Sequence, residues 1–170
     1  MIRQNLRFAV FGNSFQPRKS HSIFRVLAFL EKQGCQVEFD RSFYDFLQEN
    51  HDLDLGKYAT FEGDDFEADY VLSMGGDGTF LQSAVRVGEK QIPLVGINMG
   101  RLGFLADVLP DEVEEALDAV LKGNYNIEEH TAIRITTEGG DFEGCHYALN
   151  DIAVLKRDVA SMISIRTHVD

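Results

Sequence analysis

Apolar runs alternate with amphipathic stretches over the first 123 residues, and that alternation sets the expected fold. Leu6 to Phe11 is a strand-type run stopped by Gly12-Asn13. Ser22 to Gln33 places Ile23, Val26, Leu27 and Leu30 at i, i+3, i+4 and i+7, which is a helical stripe, and Gly34 suits the position just past a helix end. Gln36 to Phe39 predicts a second strand, and Ser42 to Glu49 a short amphipathic helix. Residues 50–69 are polar and acidic around Glu62-Gly63-Asp64-Asp65 and are expected to form a solvated loop. Tyr70 to Met74 is a buried-strand run, and the helical pattern resumes at Leu81. Ile92 to Ile97 predicts another buried strand with Pro93 among its first residues. A helix over 111–122 lines up Val113, Ala116, Leu117, Val120 and Leu121 on one face and closes at Gly123. Strands alternating with helices predict an α/β fold, a doubly wound, mostly parallel, Rossmann-like sheet with right-handed crossovers.

After Gly123 the period drops to two. Thr131 to Thr137, Cys145 to Leu155 and Ser161 to Thr167 are strand candidates, separated by turns such as Glu138-Gly139-Gly140-Asp141, with no helical signal. The expected organisation is an α/β nucleotide-binding domain over 1–123 followed by the start of an all-β domain over 124–170. Three strands make a poor independent core, so the natural chain is expected to continue past Asp170.

Charge narrows the partners. With 16 basic against 28 acidic side chains the net charge is −12, which argues against nucleic acid and against an anionic membrane. No apolar stretch approaches spanning length, and the first residues lack a secretion-type apolar segment. The two cysteines, Cys35 and Cys145, have no paired spacing, and the five histidines (His21, His51, His130, His146, His168) show no metal spacing. A cytoplasmic protein with reduced thiols is the expectation.

The densest chemistry lies between the strand at 70–74 and the helix that follows: Gly75-Gly76-Asp77-Gly78-Thr79-Phe80. A strand, a glycine turn and a helix start together point unpaired backbone N–H groups and the positive helix end into one space, which suits phosphate. A carboxylate there repels phosphate, so Asp77 needs a reason. It can cap the helix, and it can also accept a proton or hydrogen bond from a substrate hydroxyl. Three predicted strands end in glycine, at Gly12, Gly75 and Gly96, so their turns are expected to face one crevice at the carboxyl edge of the sheet.

Two further segments belong with it. Asn98-Met99-Gly100-Arg101-Leu102-Gly103-Phe104-Leu105 follows a strand into that crevice. It is either an ordinary glycine-rich loop with Phe104 and Leu105 in the core or a nucleotide lining, in which Asn98 bonds the ligand and Arg101 offsets its charge. Asn150-Asp151 interrupts an apolar strand. It is either a hairpin turn, for which Asn-Gly or Asp-Gly is preferred, or a pair of ligand contacts. The motifs GxxxxGK[ST], GxGxxG and HExxH are absent.

These three segments, in this order and approximate spacing, resemble the NAD kinases, bacterial ones in particular, over nearly the whole chain. The GGDGT element by itself is shared with diacylglycerol kinases, sphingosine kinases and, more loosely, phosphofructokinases. The resemblance implies transfer of the γ-phosphoryl of ATP, or of a polyphosphate unit, to the 2′-hydroxyl of the adenosine ribose of NAD, giving NADP. It also implies a requirement for Mg²⁺ or another divalent metal, and a homo-oligomer. By similarity Asp77 is the base or acceptor for that hydroxyl, and Gly75, Gly76, Gly78, Thr79 and Phe80 form the phosphate-facing turn. Phe104 lies along the nucleotide, and Asn150 and Asp151 hold adenine or ribose groups. The family usually has glutamate where Asp151 stands, one methylene longer. It also carries a further glycine-, serine- and threonine-rich substrate segment, so this 170-residue piece is expected to be inactive alone. Two other functions compete. A diacylglycerol-type lipid kinase shares the turn but sits poorly with the −12 charge, and a non-catalytic NAD- or ATP-sensing module has no use for Asp77.

Overall fold

A strand at the centre of the sheet organises everything else. The computed structural model describes residues 5–13, 20–50, 54–100, 103–138, 146–149, 151–155 and 162–168. Its elements run β1 (Arg7–Gly12), α1 (Ser20–Lys32), β2 (Gln36–Asp40), α2 (Arg41–Asn50), β3 (Ala59–Phe61), β4 (Tyr70–Gly75), α3 (Asp77–Val87), a 3-10 turn (Gly88–Lys90), β5 (Leu94–Asn98), α4 (Val113–Lys122), β6 (Ala132–Arg134) and β7 (Tyr147–Leu149). The first five strands form one sheet in the order β3-β2-β1-β4-β5, and every pairing is parallel.

That order reverses between β1 and β4. The chain steps outward one way through β2 and β3, returns, and steps the other way to β5. Because crossovers are right-handed, reversing the direction of travel reverses the face on which the helix lies. Side chains show the result. Phe8, Val10, Phe39, Leu72, Met74 and Ile97 face α1, α2 and α4 in the larger core, while Ala9, Phe11 and Val71 face Val87 of α3 with Phe61 and Phe66 in the smaller one. The apolar stripe of α1 is the predicted one, since Ile23, Val26, Leu27 and Leu30 are all buried. Phe39 is fully buried among the rings of Phe43, Tyr44 and Tyr58. Phe39→Ala is expected to cost about 3–5 kcal/mol, seen as a lower midpoint in urea denaturation with an unchanged slope.

Several boundaries depart from expectation for identifiable reasons. β3 lies inside the stretch read as a loop; three residues are too few for a period to show, and it forms because β2 offers an open edge. Gly96 sits inside β5 rather than at its end, so it does not open onto the crevice. A Cβ there would strike the backbone of Ala106 and the ring of Phe80; the glycine lets a loop and α3 press onto the strand. Pro93 falls just before β5, where its carbonyl accepts the Val71 N–H at 2.9 Å.

The β-rich region is smaller than its pattern suggests. β6 and β7 form an antiparallel pair, but the expected strand over 145–155 is strand only at Tyr147–Leu149 among the described residues. Residues 162–168, although alternating, form no strand and are exposed. Alternation prepares a face for burial, and among the described residues no neighbouring strand is present to pair with these.

Candidate phosphate and nucleotide site

The carboxyl ends of β1 and β4 lie side by side where the strand order reverses; Gly12 pairs with Met74 in register, and the Asn13 N–H reaches the Met74 carbonyl at 3.2 Å. In open parallel sheets this is the position of ligand crevices. α3 begins there directly, so the predicted glycine turn is in part the helix's own first turn. Gly76 is the N-cap, with no side-chain bond to it, which corrects the capping role considered for Asp77. Phe80 N–H bonds back to Gly76 at 3.0 Å; the amides before it are the helix's unspent donors, as at any helix start. Gly75 is required by the turn, because a Cβ would collide with the Thr79 side chain.

Asp77 is turned toward the loop that follows β5. Its Oδ2 accepts the Phe104 N–H at 2.9 Å, and its Oδ1 accepts those of Leu105 and Ala106 at 3.0 and 3.2 Å. The amide of Phe104, then those of Leu105 and Ala106, hold the carboxyl below its ordinary pKa, since each favours the charged form. Gly103 makes this possible, because a Cβ on it would overlap the Asp77 carboxylate. A second clamp works from within. Asn98 is buried; it accepts the Gly100 N–H at 2.7 Å and donates to the Ala106 carbonyl at 3.2 Å. Backbone bonds from Met99 to Gly75 and from Asn98 to Val108, both 2.8 Å, tie the loop to β4 and to itself. Asn98 is thus turned into the loop. Phe104, held through its own amide and those of the two residues after it, projects fully exposed, which settles the choice posed for it against a core position.

Along α3, from Thr79 to Arg86, lies a cavity of about 520 Å³. It is lined by Gly12, Asp40, Ser42, Thr79, Arg86 and Leu149 among others, with Asp151 at its wall. The structure therefore brings Thr79 and Asp151 to one space, while Asp77, Phe104 and Asn98 are not among the residues that line it. Arg101 and Asn150 lie outside the described residues. Tyr147 anchors β7 over the cavity: its hydroxyl donates to Glu89 at 2.6 Å, and its ring lies against Gly88. Glu89 raises the Tyr147 pKa by accepting that proton.

Asp40 and Ser42 were not anticipated as site residues. Asp40 ends β2, its Oδ2 caps α2 through the Phe43 N–H at 3.3 Å and takes the Ser42 hydroxyl, and its Oδ1 meets Arg86 at 3.1 Å. An acid at the end of the second strand of a doubly wound sheet is a readable signal. Among the described residues no group of three His, Cys, Asp or Glu side chains converges. No described helix is long and apolar enough to cross a membrane.

A doubly wound α/β domain with an amide-rich turn at the switch point belongs to the class that includes nucleotide-binding domains. Residues 17–125 match the ATP-NAD kinase N-terminal domain. The chain is 45% identical over 165 residues to an NAD kinase of Bacteroides fragilis, covering 97% of this chain and 57% of that one. It is 38% identical over 165 residues to an NAD kinase of Cytophaga hutchinsonii, covering 96% and 56%. The crystal structure of yeast NADH kinase complexed with NADH superposes with a TM-score of 0.66 at 15% identity, over 86% of this chain and 47% of that one, a likeness of fold. This chain belongs to the ATP-NAD kinase family. It spans a little over half the length of the curated relatives it matches.

Proposed function

We propose that the complete protein phosphorylates NAD at the 2′-hydroxyl of its adenosine ribose, with ATP as donor and NADP as product. Residues 1–123 form the nucleotide-binding half in this reading, and 124–170 begin the β-rich one. Family membership supports the class of reaction. The observation that carries the site assignment is the carboxylate of Asp77 set at the first turn of α3 among amides rather than cations. A carboxylate has about four acceptor positions; the loop takes three, and the one left is on Oδ2. A ribose hydroxyl donating to it would lie beside the turn that faces phosphate. Phosphoryl transfer asks mainly for alignment and charge stabilisation, and in a loose transition state the hydroxyl proton leaves late, so a carboxylate of lowered pKa suffices as its acceptor.

Phe104 would lie along the acceptor nucleotide, and Asp151 would contact its ribose or adenine from the β7 side. Because Phe104 is wholly exposed, Phe104→Ala is expected to leave stability within about 0.5 kcal/mol and to raise the KM for NAD about tenfold, as loss of base–aromatic stacking does. An unchanged KM would place Phe104 outside the NAD site. The reaction itself is tested by incubating the complete protein with NAD, ATP and Mg²⁺ and following NADP. Transfer to a diacylglycerol emulsion instead would replace this reading with the lipid-kinase one.

A further inference from the structure

We propose that Asn98 is a positioning residue for the phosphoryl transfer: its buried side-chain amide joins the two limbs of the loop after β5 and, through Ala106, fixes the aim of the Asp77 carboxylate. The proposal rests on the kinase reading and adds to it a residue that acts on the chemistry without meeting a substrate. Asn98 ends β5 with 1% of its surface exposed, so the ligand contact expected of it from the sequence is closed off. Its Oδ1 accepts the Gly100 N–H at 2.7 Å, where the chain leaves the strand. Its Nδ2 donates to the Ala106 carbonyl at 3.2 Å, where the chain returns. The side chain thus stands in for a peptide group, offering an acceptor and a donor on one plane to two segments of backbone.

Ala106 is the junction between Asn98 and Asp77. It is fully buried. Its N–H donates to Asp77 Oδ1 at 3.2 Å, and its carbonyl accepts Asn98. Backbone pairing fixes the returning limb further along: the Asn98 N–H reaches the Val108 carbonyl at 2.8 Å, and the Val108 N–H reaches the Gly96 carbonyl at 3.1 Å. Gly96 lets Ala106 lie flat on β5, since a Cβ there would strike the Ala106 Cα. At Ala106 itself the bond that draws the limb toward the strand is the one from Asn98. Without that donor a buried carbonyl loses a partner, which costs more than the bond was worth in water. The limb then shifts to find another, and the Ala106 N–H shifts with it. Leu105 and Phe104, whose amides bond the same carboxylate, follow. Phosphoryl transfer depends mainly on alignment, so the loss appears in turnover and not in substrate affinity.

The test uses the complete protein and two variants. Asn98→Ala removes both side-chain bonds. Asn98→Asp keeps the size and the Gly100 bond and sets a carboxylate oxygen against the Ala106 carbonyl. Both are expected to lower kcat about 10²-fold, the scale of a small misplacement, with the KM for NAD and for ATP within about twofold of wild type. In an Asp77→Asn background, Asn98→Ala is expected to cost about twofold or less, because the two residues act through one carboxylate. Amide hydrogen exchange supplies a readout that needs no turnover: residues 104–106 are expected to exchange about tenfold faster in Asn98→Ala, the effect of one buried hydrogen bond, while β1 and β4 keep their protection. A kcat near wild type in both variants overturns the proposal, as does a loss carried by the KM for NAD or one that multiplies fully with Asp77→Asn. If Asn98→Ala does not fold, Asn98→Asp decides by the same rates; if neither folds, or if exchange rises equally throughout the sheet, Asn98 serves stability alone and the proposal fails. Faster exchange confined to 104–106 with no NADP from the wild type would sink the kinase reading and leave the tether standing. NADP formation indifferent to both variants would sink the positioning role alone.

Discussion

Asp77→Asn is expected to lower the turnover of the complete protein by about 10²–10⁴-fold, the usual worth of a positioned acceptor, with NAD affinity nearly kept. Asparagine retains one acceptor oxygen and replaces the other with a donor. Placed to keep Leu105 and Ala106, its oxygen leaves the amide group facing the Phe104 N–H, donor against donor, in the place where the ribose hydroxyl would bond. Steady-state rates measure the first effect and calorimetry with NAD the second; near-normal turnover would remove Asp77 from the chemistry. The pH dependence follows from the sign of its shift. Three amides depress the folded pKa, so the clamp is fully formed above the ordinary carboxylate value and is lost only as pH falls through the lowered one. Asp77 is then ionised at every working pH, and wild type and Asp77→Asn should give rate profiles of the same shape at different heights between about pH 5 and 9. A limb in that window present only in the wild type would contradict the assignment.

Gly103→Ala is expected to cost about 10²-fold in turnover, the scale of an ångström-sized misplacement, although residue 103 bonds no substrate in this account. The added methyl has nowhere to go but into the Asp77 carboxylate, which must swing away and release the loop. Loop and carboxylate fail together, so Gly103→Ala added to Asp77→Asn should cost little more than Asp77→Asn alone. Fully multiplicative losses would mean that the loop acts independently of Asp77.

The parallel sheet, its strand-helix alternation and the stripe of α1 were legible because burial on one or both faces imposes periods that local sequence carries. The glycine turn was legible for a similar reason: Gly75-Gly76-Asp77-Gly78-Thr79 is a dense local signal at a strand-to-helix junction. Other features were beyond local reading. β3 exists only because β2 had a free edge. The alternation at 162–168 describes a face without saying what covers it. Gly96 looked like a strand end and is instead a contact point for Ala106 and Phe80, a fact about distant residues.

For this protein, then, composition and periodicity determined the α/β class, the place of the glycine turn and the singular position of Asp77 within it. Which way that carboxylate faces was decided by tertiary structure, because its three partners lie 27 to 29 residues away and meet it only once β5 has docked beside β4. The same holds for the cavity: Asp40, Thr79 and Leu149 share a wall because β2, α3 and β7 converge there. Short-range preferences act within a few residues of chain, whereas a site is made where separate segments are brought within hydrogen-bond reach by the burial of their apolar faces.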